Sequence, residues 1–221
     1  MSKKAKTFAV IGLGRFGTSV AQTLCALGHE VLAVDRDENR VAAVADSVTH
    51  AMVADTTDER ALKRIGIRNF DCVILSVGDD IRASILSTVL MKEQGAPYVI
   101  AKASDALHAK LLEKTGADKV VLPEHEAGIR LARSLVSGSI IDYLDLSDKY
   151  SITETRIPEK WAGKTLIDLN VRRNYDVSVI AIRRGEEILV TLDPKAPLQR
   201  GDVLVMIGTN AGLSRIGHGD V

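Results

Sequence analysis

The feature that most restricts the fold of this chain is a regular alternation of short apolar segments with amphipathic segments over its first 123 residues. The short segments have the length of strands, and apolar residues recur at helical spacing in the segments between them. Strands that are apolar along nearly their whole length are typical of a parallel sheet with both faces covered. Because crossover connections are right-handed, the alternation predicts an α/β domain with a Rossmann-like, doubly wound parallel sheet.

The predicted elements repeat a cycle of strand, turn and helix. Six strands are predicted at Thr7–Gly12, Glu30–Asp35, His50–Asp55, Cys72–Val77, Tyr98–Ala103 and Lys119–Pro123. Helices are predicted from Arg15 to a stop at Gly28 and at Glu38–Ala45, Asp58–Ile65, Ile81–Glu93, Asp105–Lys114 and Glu124–Val136. The last of these helices leads away from the sheet, so it is expected to cross to a second domain.

The pattern changes after that helix. Serines and aspartates interrupt it in "GSIIDYLDLSDKYS", and we expect a domain boundary near Ser139–Asp148, dividing the chain into residues 1–138 and 139–221. Beyond it, "YSITETRI" alternates, two strands flank a turn at Arg184–Gly185, and another strand is entered through Gly201–Asp202. With a short closing helix in "NAGLSRIG", the second domain is predicted to be a small, β-rich α+β domain.

Composition excludes several classes of function. Lys and Arg number 29 and so do Asp and Glu, so no overall field attracts nucleic acid or anionic lipid. The longest apolar runs, such as Val177–Ile182, are far shorter than the ~18 residues of a membrane-spanning helix. The N-terminus enters a strand without the apolar segment of a secretory signal, which predicts a cytoplasmic protein. The cysteines and histidines lack the spacing of a metal site or a redox pair.

Three glycines after the first strand form the pattern G-x-G-x-x-G. Gly12 permits the tight turn, Gly14 lets the backbone approach a pyrophosphate, and Gly17 lets helix and strand pack closely. The helix that begins there offers free N–H groups and the positive end of its dipole to phosphate. Asp35 ends the second strand, where a carboxylate accepts hydrogen bonds from ribose hydroxyls. The alternative is that the glycines serve packing only and that Asp35 caps the following helix.

Residues around this motif refine the expected ligand. Asp35 disfavours a 2′-phosphate and so favours NAD or a plain adenine nucleotide over NADP, although the neighbouring Arg36 weakens that exclusion. Arg15, inside the glycine pattern, could reach a third phosphate and so indicates ATP; alternatively it is a solvated arginine on the first helical turn.

Ligands of doubly wound sheets bind outside the carboxyl ends of the strands. Those ends are Ala54–Asp55, Ser76–Val77–Gly78 and Lys102. Asp55 could reach an adenine amino group, and Lys102 could meet phosphate as a mobile point charge. Each of these strand ends could equally be a plain turn.

The segments "FAVIGLGRFG", "GHEVLAVDRDENRV", "THAMVADTTDE", "LKRIGIRNFDCVILSVGDD" and "LLEKTGADKVVLPE" resemble the RCK family of potassium-channel and transporter regulators. Within it the chain is most similar to the KtrA-type subunits of Ktr potassium uptake systems, which are related to TrkA. The resemblance continues through "YSITETRIPEKWAGKTLIDLNVRRNYDVSVIAIRRGEEI" and "LQRGDVLVMIG", so it covers both predicted domains.

The resemblance implies a nucleotide-binding N-terminal domain that takes ATP, ADP or NAD(H). It also implies homodimers that assemble into an octameric ring, and a cytoplasmic location at the inner face of the membrane through a separate K⁺-translocating subunit of the KtrB or TrkH type. Arg15 would sense the γ-phosphate at the dimer interface, and Asp55 stands where some close relatives have asparagine. The implied nucleotide-binding residues are Gly12, Gly14, Arg15, Phe16, Gly17, Asp35, Arg36, Ala54, Asp55, Thr56, Val77, Gly78 and Lys102.

Two further sites are implied by the resemblance alone. Glu124 matches a glutamate that places Mg²⁺, Ca²⁺ or Na⁺ between two nucleotide sites; the alternative is a first-turn glutamate that the helix dipole favours. Some relatives bind cyclic di-AMP in the C-terminal domain, which directs attention to Leu166–Asn174 and Pro194.

Three functions are consistent with these patterns. The leading hypothesis is a ligand-gated regulatory subunit that performs no chemistry, and an NAD-dependent oxidoreductase is the alternative. An oxidoreductase needs a proton-exchanging residue over the nicotinamide, and the second domain offers His218, Tyr150, Tyr175 and some lysines in no recognisable arrangement. A free-standing nucleotide sensor with a soluble partner is the third.

Overall fold

The computed structural model describes residues 5–78, 80–136, 140–147 and 149–217. It divides into two compact units, Met1–His125 and Glu126–Val221. The expected boundary between residues 138 and 139 lies further along the chain and stays a prediction; Ser139, Asp148 and His218 lie outside the described residues. None of the described helices has the combined length and hydropathy of a membrane-spanning segment.

The first unit is a six-stranded parallel sheet with the strand order β3-β2-β1-β4-β5-β6. This order confirms the predicted doubly wound sheet, since the chain starts in the middle and winds outward in both directions. Its elements are β1 Thr7–Ile11, α1 Arg15–Ala26, β2 Glu30–Asp35, α2 Glu38–Val44, β3 His50–Val53, α3 Glu59–Ile65, β4 Cys72–Leu75, α4 Ile81–Glu93, β5 Val99–Lys102, α5 Ala106–Lys114 and β6 Lys119–Val121.

Both faces of this sheet are buried. Ala9 and Ile11 of β1 pack into one apolar cluster, and Val10 between them packs into another on the opposite face. The same division holds along β4, whose four residues are all buried. The continuous apolar character of the strands therefore follows from helices covering both faces.

The helices of this unit differ in how they begin. Four of them, α2 to α5, start after an aspartate whose carboxylate accepts a backbone N–H of the first turn: Asp37, Asp58, Asp80 and Asp105. Such caps satisfy N–H groups that the helix cannot satisfy internally. Helix α1 starts after Gly14 and has no side-chain cap, so its first N–H groups remain available to a ligand.

The second unit contains a five-stranded antiparallel sheet with the order β10-β9-β11-β8-β7. Its core includes Trp161, which is 3% exposed and whose ring centroid lies 6.0 Å from that of Tyr175. A small β-rich α+β domain was predicted, and the sheet confirms it. The remaining elements of the chain are α6 Pro123–Val136, β7 Ile140–Asp145, β8 Tyr150–Arg156, α7 Leu166–Leu169, α8 Val171–Tyr175, β9 Val177–Arg184, β10 Glu187–Leu189, β11 Val203–Thr209 and α9 Asn210–Gly217.

One local prediction for this unit is wrong. The hairpin turn is Gly185–Glu186, one residue later than predicted, because Arg184 is still a strand residue and pairs with Glu187. Part of the segment in which the boundary is expected forms the edge strand β7, which pairs with β8 in the register Tyr143↔Thr153. Backbone hydrogen bonding to β8 produces this strand despite its two aspartates.

Candidate functional site

The glycine pattern forms the tight connection between β1 and α1. Gly12 has φ +89°, in the left-handed region, and a Cβ there would come within 2.9 Å of the Ser76 backbone. A Cβ at Gly17 would overlap the carbonyl oxygen of Gly12. Around Gly14 nothing lies within 4 Å of an added Cβ. The roles expected for the three glycines, in turn, open approach and close packing, match this geometry.

A cavity of about 650 Å³ opens at the carboxyl ends of the strands, above this loop. All of the predicted nucleotide-binding residues except Gly17 line this cavity. Gly17 packs against the Gly12 carbonyl within the loop. Several lining residues were missed, and a cue existed for those around α4, because Asp80 is a typical helix-capping residue and stands directly before the helix predicted from Ile81. The full lining is Ile11, Gly12, Gly14, Arg15, Phe16, Asp35, Arg36, Arg40, Ala54, Asp55, Thr56, Thr57, Ser76, Val77, Gly78, Asp80, Ala83, Ser87, Lys102 and Glu124.

Asp35 is buried at the end of β2, with 6% of its surface exposed. One carboxylate oxygen accepts the Leu13 N–H at 2.6 Å and the other accepts the Asp37 N–H at 2.9 Å. Arg40 approaches the same carboxylate at 3.7 Å. Asp35 therefore holds the glycine loop in place, a role that the sequence did not indicate, and it also lines the cavity.

The cationic side chains of the cavity differ in their pairing. Arg15 is the first residue of α1 and is exposed, and neither it nor Arg36 has a carboxylate within ion-pair distance among the described residues. Arg40 is shared between Asp35 and Asp37, at 3.7 and 3.8 Å. Two arginines at the cavity are therefore uncommitted within the part of the chain that the structure describes.

Hydrogen bonds within the chain hold the polar groups after β3. The Asp55 carboxylate accepts the Thr57 hydroxyl at 2.7 Å and the Thr57 N–H at 2.9 Å, and these bonds hold the pKa of Asp55 below its ordinary value. The Thr56 hydroxyl bonds to that of Ser87 on α4 at 3.0 Å. This end of the cavity presents a fixed carboxylate that stays ionised at neutral pH.

Lys102 and Glu124 form a short ion pair at the other side of the cavity. The Lys102 Nζ donates to Glu124 Oε1 at 2.6 Å, and this hydrogen bond lowers the pKa of Glu124. No three His, Cys, Asp or Glu side chains of the described residues cluster in a way that could hold a metal ion. The described groups of one chain at Glu124 thus do not fit a metal site by themselves.

A buried histidine supports α4 from behind the cavity. His108 is 1% exposed, and its Nδ1 accepts the Ser104 backbone N–H at 3.2 Å, which leaves the proton on Nε2 to bond Ser84 of α4 at 3.2 Å. Burial lowers the pKa of His108, opposed by the charge of Asp105. The neutral ring therefore links α5 to the helix whose Ala83 and Ser87 line the cavity.

We expect the stability of the first unit to fall as the pH drops below about 6.5, the ordinary histidine pKa. The unfolded chain then binds a proton that the buried ring resists, so one pH unit below this value costs up to about 1.4 kcal/mol from His108 alone. Chemical unfolding between pH 5.5 and 8 measures the effect. His108→Gln should flatten the dependence of stability on pH, whereas His50→Gln, which replaces an exposed histidine, should leave that dependence unchanged. Equal pH profiles for the two variants would contradict the assignment of the effect to His108.

Comparisons with known proteins agree with this geometry. Models of the TrkA-N domain and the TrkA-C domain match residues 8–123 and 152–217. The chain is 43% identical to the Ktr system potassium uptake protein C of Bacillus subtilis (strain 168) over 210 residues, which covers 95% of each chain. It is 44% identical to the Ktr system potassium uptake protein A of the same strain over 212 residues, or 96% of each chain.

Solved structures share the fold at low sequence identity. The crystal structure of the GsuK RCK domain superposes with a TM-score of 0.65 at 17% identity, and the GsuK channel bound to NAD with a TM-score of 0.67 at 17% identity. Each match covers 98% of this chain, but only 48% and 40% of those chains, so this chain spans less than half their length. At this identity the likeness establishes the fold alone.

Proposed function

This chain belongs to the family of proteins with a TrkA-N domain followed by a TrkA-C domain, and from that membership we propose that it is the nucleotide-binding regulatory subunit of a potassium uptake system. The Ktr potassium uptake proteins that it resembles over nearly its full length support the assignment. In this proposal the protein performs no chemistry. It lies in the cytoplasm and controls K⁺ flux through a separate membrane subunit of the KtrB or TrkH type.

The observation that carries the proposal is the uncapped start of α1 at a cavity with uncommitted arginines. Helices α2 to α5 have aspartate caps, whereas α1 leaves its first N–H groups to the cavity. Arg15 and Arg36 add positive charge there. A helix N-terminus with arginine forks nearby suits phosphate oxygens.

The proposed ligand is ATP, ADP or NAD(H). The pyrophosphate would lie on the loop of Gly12 and Gly14, and Asp35 would accept a hydrogen bond from the ribose. The ionised Asp55 can accept from an exocyclic amino group such as that of adenine. A cation such as Mg²⁺, Ca²⁺ or Na⁺ at Glu124 would need its other ligands from phosphate oxygens or from a second copy of the chain.

Regulation requires that the nucleotides differ in affinity for the two states of the assembly. A tenfold preference per site is worth about 1.4 kcal/mol, and these free energies add over the sites of the proposed octameric ring of homodimers. Arg15 is the proposed source of the difference, because ADP lacks the γ-phosphate that its guanidinium would reach.

The C-terminal unit is the proposed place for cyclic di-AMP. The segments that the resemblance indicated are adjacent there, since Ile167 N–H donates to the Pro194 carbonyl at 3.2 Å. Asn174 Nδ2 donates to the Leu169 carbonyl at 2.9 Å, so this loop is fixed from within. Titration of the full chain with cyclic di-AMP tests the proposal, and no heat of binding would contradict it.

Thermal melting with ATP, ADP, NADH and NADPH tests the nucleotide site. A ligand at 100 times its dissociation constant adds about 2.7 kcal/mol to the stability of the protein. We expect ATP and ADP to raise the melting temperature. Stabilisation by NADPH alone would contradict the roles proposed for Asp35 and Arg15, and co-purification with a membrane subunit would separate this function from that of a free-standing sensor.

We expect Arg15→Ala to narrow the affinity difference between ATP and ADP by about tenfold, the effect of losing one charge-assisted contact of ~1.4 kcal/mol. Arg36→Ala is the matched control, since Arg36 also lines the cavity without a described ion-pair partner but follows the ribose-binding Asp35. Arg36→Ala should weaken the binding of ATP and of ADP equally. Calorimetric titration of the assembled protein measures both, and an unchanged ATP-to-ADP ratio in Arg15→Ala would remove Arg15 from the mechanism.

A further inference from the structure

The ion pair between Lys102 and Glu124 is built into the wall of the nucleotide cavity. Lys102 is the last residue of β5, its side chain is 16% exposed, and an added Cβ at Gly78 would lie 3.5 Å from its Cε and Nζ. The Glu124 side chain is 70% exposed and belongs to the first turn of α6. Both residues line the cavity. The Lys102 ammonium is thus held by the wall of the cavity, whereas the Glu124 carboxylate reaches it from the solvent side.

Lys102 is the cation of this cavity that is already committed to a close partner. Its Nζ lies 2.6 Å from the carboxylate, whereas Arg40 stays 3.7 and 3.8 Å from its two aspartates. An ammonium on a flexible stem donates up to three hydrogen bonds. A phosphate that enters the cavity must therefore either share this ammonium with Glu124 or displace the carboxylate, because two anions beside one cation repel each other.

We propose that Glu124 is the resting counter-ion of Lys102 and that a phosphate of the bound nucleotide takes its place. The proposal rests on the nucleotide binding proposed above and adds the group against which the nucleotide competes. Release of Glu124 is inexpensive, since its exposed carboxylate returns to water. Bound nucleotide thus frees the Glu124 side chain.

Glu124 lies at the end of the first compact unit, on a helix that continues into the second. The first compact unit ends at His125, and α6 continues from Pro123 to Val136. The exchanged carboxylate therefore lies on the first turn of the helix that covalently connects the two units. Loss of the ion pair on binding removes a tether between the end of β5 and that turn.

The test is the affinity of the full chain for ADP and for ATP, measured by calorimetric titration in EDTA so that no divalent cation contributes. Glu124→Gln keeps the shape and removes the competing charge, so both nucleotides should bind about 3- to 5-fold more tightly, as an ion pair of this exposure is worth. Lys102→Met should weaken the binding of both nucleotides at least tenfold, since it removes a charge-assisted contact with phosphate. In the Lys102→Met background, Glu124→Gln should have no further tightening effect.

Glu59→Gln is the matched control. Glu59 and Lys63 form an ion pair of the same 2.6 Å length on α3, and neither lines the nucleotide cavity. This variant should leave both affinities unchanged. Melting without nucleotide checks that each variant is folded.

The outcomes separate this inference from the function on which it rests. Unchanged or weaker binding by Glu124→Gln in EDTA overturns the exchange, as does equal tightening in the Lys102→Met background. A change in stability without a change in affinity also overturns it, because Glu124 would then only complement the helix dipole. A wild-type chain that binds neither nucleotide overturns the proposed function itself.

Discussion

Gly17→Ala is expected to destabilise the first unit by about 3 kcal/mol or more and to abolish nucleotide binding. The added methyl group would overlap the Gly12 carbonyl oxygen, a backbone atom that cannot rotate away. The helix α1 would have to move from β1, and the loop between them would lose the shape that receives phosphate. Chemical unfolding and nucleotide titration of the variant measure the two effects.

Gly14→Ala is the control for this prediction. Nothing lies within 4 Å of a Cβ at Gly14, and its φ of −70° is one that alanine adopts. The protein should therefore fold with nearly its normal stability, while the methyl group obstructs the approach of a pyrophosphate and weakens binding. A Gly17→Ala protein that unfolds like the wild type would show that the close contact of Gly17 with the Gly12 carbonyl is wrong.

Asp202→Asn is expected to destabilise the second unit by about 2–3 kcal/mol. Asp202 is 1% exposed and accepts two parallel hydrogen bonds from Arg184, each 2.8 Å long, and a third from the Gln199 N–H at 2.8 Å. The amide would turn a donor toward Arg184 and remove its counter-ion. The expected loss is below that of a fully buried pair because the Arg184 side chain is 35% exposed. Denaturant unfolding of the full chain measures it.

The neighbouring residue supplies the control for Asp202. Arg183 pairs with Glu154 at the same 2.8 Å, but both side chains are about a third exposed. Glu154→Gln should therefore cost less than about 1 kcal/mol. Equal losses in the two variants would show that burial of the carboxylate does not set its contribution.

The pH dependence of the Asp202 contribution has a definite sign. Burial alone would raise the pKa of Asp202, but the hydrogen bonds from Arg184 and the Gln199 N–H hold it below its ordinary value. The stabilisation is therefore complete above about pH 4, the unfolded aspartate pKa, and is lost as the pH falls through the folded value. Asp202→Asn should lose that dependence.

Most of the fold of the first unit could be predicted because its signals are local. Strand β2 and helix α4 have the predicted limits, Glu30–Asp35 and Ile81–Glu93, and elsewhere the differences are a few terminal residues. The spacing of apolar residues reports which faces are buried, and aspartates before the helices report where they begin. The family was likewise recognisable from short motifs such as "FAVIGLGRFG".

The second unit was harder to predict because its strands depend on pairing. In β8 the buried side chains are Ser151, Thr153 and Thr155, whereas Ile152 between them is only half-buried. Their hydroxyls are satisfied within the fold, as by the 2.7 Å bond from Ser151 to Asn210. Alternation predicted a strand there, but only the neighbouring elements decided which face is inside.

The sequence by itself determined the parallel sheet, the glycine loop and the set of residues at the strand ends, because each depends on spacing within one strand and the next turn. Only the tertiary structure decided what those residues contact. It placed the Asp35 carboxylate on the Leu13 N–H and the Lys102 ammonium on Glu124. These partners come from different strands and helices, and they meet because a parallel sheet brings its carboxyl ends to one edge.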